Sequence, residues 1–405
     1  MPAIVAIPTV VEGVLEQFAD LFPNEPSRQH LAEYLTGLLI AESKTVSGIA
    51  REFAQTTDQS CLNRWLTEAP WDAQRINAHR LEWLQQDPLT RYRQDGTIAI
   101  DNTLIDHDGK LIEDAGLFWD HAEHRYLIAH DYLIANYVLP NGRHYPLDFR
   151  RFRKKNQCDD AHPFRDHTDL CIALIDWVIA QDIPGDFTFD SYFTHADVLN
   201  HIHAAGRAYV GDLKANRKIV VNGQEQRVNE WIAERLLPCL RTKFTVAGHT
   251  QWYYTTTIRI PNVNHPVRLL VLWSEADANQ PRKILITNRT YWEAHRILKA
   301  YKRRWTGTET FHRDGKQHLG MGDCQLRNGL GQTRHMYLVF LGYTALMRQL
   351  QHDRAIDWAH VRLTTIGESC RLVVRETLAK TLAWAIERSK EGLSLMDIKQ
   401  QLALP

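Results

Sequence analysis

The sequence predicts an α/β fold whose layered core is interrupted by a mostly β insertion, with helical regions at both ends. Three observations predict it. Apolar residues recur three or four apart up to about residue 90 and again from 291. From 97 the pattern alternates β-rich runs with amphipathic helices, the mark of a layered α/β core. Between 215 and 290, β-branched and aromatic runs follow one another with little helical pattern between them.

Residues 1–92 form the helical N-terminal region. "PSRQHLAEYLTGLLIAESK" and "DAQRINAHRLEWLQQD" carry the helical spacing, and "TVSGIAREFAQTTDQSCLNRWL" reads as a helix broken at a Gly or at Thr-Thr. That last stretch also fits a helix-turn-helix that could bind a DNA end. Its charge speaks against a grip on phosphate: residues 1–90 hold 6 Lys/Arg against 12 Asp/Glu, or 6 − 12 = −6.

The first part of the core spans 93–214. "TIAIDNTLI" and "YLIAHDYLIANYVLP" read as strands joined by a polar turn containing Asp108-Gly109. "FRDHTDLCIALIDWVIAQD" is an amphipathic helix, and "FTFD" (187–190) is a short buried strand. "THADVLNHIHAAG" follows as a helix with Thr194 as its N-cap, and "AYVGDLK" returns to strand. The insertion, 215–290, opens with a short helix, "VNEWIAERLLP", before four strand-like runs, "TKFTVAG", "QWYYTTTIRI", "VRLLVLWSE" and "KILITNR". Residues 291–350 complete the core with a basic helix, and 351–405 are C-terminal helices.

Bulk composition sets limits. An apolar content of 44% and a charged content of 24% are those of a globular protein, and 48 basic against 48 acidic residues leave no net charge. A polyanionic partner must therefore be held by segregated charge. Residues 296–334 hold 9 Lys/Arg against 3 acids, and 141–157, with Arg150, Arg151, Arg153, Lys154 and Lys155, hold 6 against 1. The six cysteines are scattered without a C-x-x-C pair, which fits a reduced cytosol and excludes the usual structural zinc spacings. The N-terminus lacks a signal-peptide pattern, and no run of 18 apolar residues predicts a membrane span.

Three acids stand out by position. Asp101 lies on or at the end of a central strand, Asp190 ends the strand "FTFD", and Glu309 lies in the basic helix. Each alone could be a strand-end or capping carboxylate. Together they could converge, because functional groups gather at strand C-terminal ends in open α/β sheets. Like charges 4 Å apart repel by about 4 kcal/mol at an effective dielectric near 20, so such a cluster calls for divalent cations. Carboxylate oxygens are hard ligands of the kind Mg²⁺ takes. At about 100° per residue, Tyr301, Trp305, Glu309, His312 and Lys316 fall within roughly 80° of helix arc, which would set Lys316 and an aromatic pair on the face of Glu309. A solvated salt-bridge face joining Glu309 to Arg313 is the competing reading. The histidine groups His121, His124, His130 and His195, His201, His203 do not suggest a zinc site. His201 and His203, two apart on a helix, diverge.

These residues resemble those of the DDE transposases of bacterial insertion sequences, in the group with a β-strand insertion between the second Asp and the Glu. "AIDNTLI" resembles the first-Asp strand, "FTFDSYFTHADVLNHI" the second-Asp motif, and "YKRRWTGTETFHRDGKQHLGMGDCQLRNGLGQTRH" the Glu motif, Tyr-x2-Arg-Trp then Glu-x6-Lys. The likeness covers roughly 95–350. It implies an RNase H-like core with two Mg²⁺ (Mn²⁺ able to substitute) on Asp101, Asp190 and Glu309. It further implies contacts of Tyr301, Arg304 and Lys316 with the transposon end, with Trp305 packed beside them and Arg313 within the same basic helix. A tryptophan of the insertion, Trp252 or Trp273, would stack on an extruded base, core packing being the competing role. Arg304 and Glu309 are separated by four residues where the family has three, and Gly307 predicts a bulge that absorbs the extra one. The implied activity is cleavage of double-stranded DNA at element ends and joining to target DNA by a homodimer at the bacterial nucleoid. A domesticated DNA-binding relative and a non-transposing metal-dependent nuclease are the rival readings.

Overall fold

The computed structural model describes residues 3–404 except 56–57, 110, 122, 247–248 and 351–362, so part of the expected C-terminal region lies outside the described residues. The chain packs as two units. One comprises Met1–Arg91, Leu104–Asp131 and Phe311–Pro405, and the other Tyr92–Thr103 and Tyr132–Thr310.

The first unit is mainly helical. Its N-terminal helices are α1 (Thr9–Phe18), α2 (Glu25–Ile40), α3 (Val46–Arg51), α4 (Gln59–Thr67) and α5 (Ala73–Gln85). Asn24, Thr45, Asp58 and Asp72 cap α2 to α5 by accepting from backbone N–H groups, which explains where those helices begin. The break expected in "TVSGIAREFAQTTDQSCLNRWL" is the gap between α3 and α4.

The second unit is built on a mixed sheet. Its elements begin with β1 (Thr97–Asp106), β2 (Gly116–Asp120), β3 (Arg125–Val138) and β4 (His144–Arg151); β2, the end of β1 from Leu104 and the start of β3 up to Asp131 belong to the first unit. Next come α6 (His167–Ala180), β5 (Asp186–Phe189), α7 (Ala196–Ala204) and β6 (Tyr209–Asp212). The insertion contributes the hairpin β7 (Lys218–Val221) and β8 (Gln224–Arg227), helix α8 (Val228–Arg235), and strands β9 (Thr242–Val246), β10 (His249–Ile258), β11 (Val267–Trp273) and β12 (Lys283–Thr287). Helix α9 (Ala294–His318) then runs out of this unit into the first. There α10 (Gly329–Gln349), α11 (Ile366–Lys390) and α12 (Leu395–Gln401) follow. No helix among the described residues is long and apolar enough to cross a membrane.

In the second unit the strand order is β3-β1-β5-β6-β12-β11-β10-β9, with β4 paired to β3. β1, β5 and β6 are parallel, whereas β12 joins β6 antiparallel and the rest of the insertion continues antiparallel from it. This is an α/β core of RNase H-like type in which the insertion extends the core sheet itself.

Several details differ from the sequence reading, among them the hairpin β7–β8, which precedes the helix expected to open the insertion. Strand β2 stands where only a turn is expected. Its alternating exposure and five-residue length leave little apolar signal. β4 stands in the basic run, with Pro146 opposite Asn136 at a register shift, a place where an edge strand tolerates proline. Helix α7 starts after His195, and Thr194 does not cap it: its hydroxyl lies 2.9 Å from the Asp190 carbonyl and 2.6 Å from that of Asp212.

Helix α9 packs on the sheet through Ile297, Leu298, Ala300 and Tyr301, which bury against Ala208 just before β6, Val210 of β6, Leu285 of β12, and Leu270 and Leu272 of β11. Further along, Gly307 lies so close to the sheet that a Cβ there would stand 2.5 Å from Val138 Cγ2 and 3.2 Å from Ala99 Cβ. The helix is continuous through Gly307, so the glycine marks a close approach and no bulge. Gly307→Ala should therefore destabilise the protein by about 1–3 kcal/mol through overpacking, despite the better helix former. Urea unfolding checks this, and Val138→Ala in the same chain should recover most of the loss.

Candidate carboxylate site

The acids singled out in the sequence meet where α9 crosses the parallel strands. Asp101 sits in the middle of β1, and side chains two apart in a strand share a face. Ala99, two residues back, faces Gly307, so Asp101 faces α9 as well. Asp190 directly follows β5, at the C-terminal end of that strand, and its Oδ1 accepts from Tyr192 N at 2.8 Å. Glu309 comes from α9 itself and forms no hydrogen bond or ion pair among the described residues. The surface pair with Arg313 is absent: Arg313 turns to Asp314, 3.1 Å away.

Asp101 is the electrostatic centre. It is 8% exposed, and its Oδ2 accepts from Arg304 Nη1 at 2.5 Å while Oδ1 accepts from Asn102 N at 3.1 Å. Burial pushes its carboxyl up, Arg304 pulls it down, and the charges of Asp190 and Glu309 push it up again, leaving it at about 7 against an ordinary 3.8. The charges of Asp190 and Glu309 both reach Asp101, which puts the three acids in one neighbourhood. Arg304 answers from the other side: burial lowers its pKa, but Asp101, Tyr301 and Asp190 together hold it above its ordinary value.

Why Arg304 reaches Asp101 follows from the helix period. The buried side of α9 runs through Ile297, Ala300, Thr308 and neighbouring Gly307, and Arg304 falls in its middle. The predicted face, centred on Trp305, is turned away from this one. Trp305 is 64% exposed and does not pack beside buried Tyr301. Lys316, two turns beyond Glu309, donates to the Leu104 carbonyl at 2.8 Å.

The other predicted residues are dispersed. Arg150 pairs with Asp148 on β4 at 2.7 Å, two strands from β1, and Arg151 closes that strand. Arg153 and Lys154 follow, partly buried, and Lys155 Nζ lies 5.0 Å from the Phe164 ring. Trp252 and Trp273 are register partners on β10 and β11, and both point away from α9, since their neighbours Tyr253 and Leu272 pack against it. Trp273 is fully buried under the Arg241 guanidinium, so it is a core residue and presents no face to a base. The histidines go elsewhere: His201 to Asp176, His203 onto His265, and His130 to His107.

Sequence reading missed a second acid–base pair beside the first. Asp212 ends β6 and bonds Lys283 of β12 at 2.6 Å. The strand-end rule that picked Asp190 would have picked Asp212 also, but nothing in "KILIT" marks its lysine.

A buried carboxylate raised in part by the charges of two others, all hard oxygen donors, has the chemistry a divalent cation relieves. Among the described residues, however, no group of three or more His, Cys, Asp and Glu side chains is disposed to hold a metal as it stands. One reason is visible, since Arg304 already occupies an oxygen of Asp101.

Carboxylates brought by two parallel strands and a crossing helix onto an RNase H-like sheet fit the class of DDE endonucleases and transposases. Residues 17–230, more than half of the chain, match the family described as DDE superfamily endonuclease, and the chain belongs to that family. The match takes in Asp101, Asp190 and Asp212 and ends before β9 and Glu309. No curated protein sequence matches the chain.

The raised Asp101 sets a pH dependence for the metal-free protein. Between about 4 and 7 the native carboxyl keeps a proton that the unfolded chain has lost, so stability falls as pH rises through that window. The total is of order 4 kcal/mol. Asp101→Asn should flatten this slope, as read by urea unfolding at a series of pH values.

Proposed function

We propose that the chain is the DNA transposase of a bacterial insertion sequence, cutting the element's ends and joining the freed 3′-hydroxyls to target DNA. The observation that carries the reading is the shared field of Asp101, Asp190 and Glu309, a carboxylate set that the protein's own cations only partly neutralise. Asp101, Asp190 and Glu309 would hold Mg²⁺ or Mn²⁺, two ions per site. Such ions, when bound, activate an attacking oxygen and stabilise a leaving one at phosphorus.

The β insertion between Asp190 and Glu309, and the segment Tyr301-x2-Arg304…Glu309-x6-Lys316, support the insertion-sequence group within the wider family. Tyr301, Arg304, Trp305, Arg313 and Lys316 would meet the DNA end, with the run from Arg150 to Lys155 adding phosphate contacts. Trp252, half-buried, is the remaining base-stacking candidate of the insertion. Cutting two ends in concert needs two subunits. On α11, Leu378, Leu382 and Ile386 expose an apolar stripe suited to a second copy, whereas Val373 on the same helix is buried. An enzyme of this kind would work at the nucleoid.

The family's description as endonuclease favours one alternative, a nuclease of the same fold that cleaves without joining. A binding-only relative has no use for a repulsive carboxylate cluster.

Incubating the protein with the DNA that flanks its coding region, in Mg²⁺, should give nicks at short inverted repeats and joined products. Cleavage without joining would point to the nuclease. Asp101→Asn, Asp190→Asn and Glu309→Gln should each lower cleavage by more than about 100-fold, beyond the range for outer-shell metal partners, with DNA binding retained. Full activity in any one of them would remove that residue from the site.

A further inference from the structure

Asp190 and Asp212 are neighbours by construction. Phe189 of β5 and Gly211 of β6 are register partners, so the residue after each carries its carboxylate at an adjoining strand end. Thr194 ties the two backbones together through its hydroxyl. Asp212 in turn holds Lys283, which the insertion brings in on β12.

Lys283 and Arg304 share an aromatic support. Lys283 Nζ lies 5.5 Å and Arg304 Cζ 5.7 Å from the centroid of the Tyr301 ring. Each cation is held by its own aspartate, Lys283 by Asp212 and Arg304 by Asp101. Among the described residues Arg304 Nε has no hydrogen-bond partner, and the Tyr301 oxygen, which Lys283 and Arg304 approach as donors, leaves its own O–H without an acceptor. Tyr301 is 9% exposed, so its hydroxyl does not simply face solvent. Buried donors without partners are rare and call for an acceptor. The Asp212 side chain is 15% exposed and that of Lys283 39%, so the lysine can be reached from outside.

An acceptor that suits two cations and two neutral or charge-assisted N–H and O–H donors is anionic and offers several oxygens. A phosphodiester is such a group, and a lysine meets it as a point charge. A purely structural role for Lys283–Asp212, stitching β12 to β6, would leave Tyr301 Oη and Arg304 Nε unexplained.

We propose that Lys283 is a phosphate-binding residue of this site and that Asp212 positions it over Tyr301 until a nucleic-acid phosphodiester takes it. The inference rests on the nucleic-acid reading of the carboxylate site but on none of its chemistry, so binding alone can test it. The insertion thereby contributes a working residue as well as sheet.

The test is fluorescence anisotropy with a labelled DNA duplex of mixed sequence, in EDTA, over a series of KCl concentrations. Each phosphate contact contributes about 0.9 to the slope of log affinity against log salt. Lys283→Met should lose about that amount of slope, and Lys283→Arg should retain it. The double variant Lys283→Met/Asp212→Asn leaves no unpaired carboxylate behind and should show the same loss, which guards against misfolding of the single variant. Asp212→Asn alone should tighten binding, because the lysine no longer has a competing partner. An unchanged slope in both Met variants, with DNA still bound, overturns this inference and leaves the transposase reading standing. Normal slopes of the expected kind without any cleavage overturn the transposase reading and leave this one. No DNA binding by the parent protein overturns both.

Discussion

Everything at this site depends on how closely α9 can approach the sheet. Gly307 lets the helix backbone come down onto Ala99 and Val138, and that contact fixes what the neighbouring residues of the helix can touch. Three residues before it, Arg304 is pressed into the interface and meets Asp101; two residues after it, Glu309 stands at the flank with no partner of its own. The same approach removes water from Asp101, which is why that carboxyl binds its proton so strongly. One absent side chain therefore sets both the geometry and the electrostatics.

The charge balance that results is unusual for a resting protein. Asp101, Asp190, Glu309 and Asp212 are gathered against two cations, Arg304 and Lys283. Each cation neutralises a single aspartate. A buried ion pair adds little net stability when a hydrophobic pair could replace it, so stability alone does not account for this arrangement. It is better understood as stored affinity, with both signs of charge prearranged for a ligand that brings the complementary ones.

Much of this was legible in the sequence, and the reasons for the rest are physical. Asp101 and Asp190 could be found because a strand followed by an acid is a local pattern, and Glu309 because its motif is dense in unusual residues. Helices α2, α5, α6, α10 and α11 carried their period openly. Strand β2 did not, being short and exposed on alternate residues, and β4 was hidden by Pro146 and by the arginines that follow it. The rotation of α9 was misjudged because Trp305 is large and aromatic, and such residues are read as buried; only the sheet contact at Gly307 shows which side faces inward. Lys283 was invisible for a different cause. Its meaning comes from a neighbour 71 positions away, which no local pattern encodes.

The join between β6 and β12 also covers an edge of the core sheet. Because Leu285, Ile286 and Thr287 saturate the outer backbone of β6, a chain lacking 215–290 would leave that strand as a bare sheet margin of buried-type residues, Tyr209 and Val210 among them. Exposed margins of this kind invite other chains to add to them. Removing the extra strands would thus open that margin to pairing with other chains. The insertion therefore closes the core sheet as well as bringing Lys283 to Asp212.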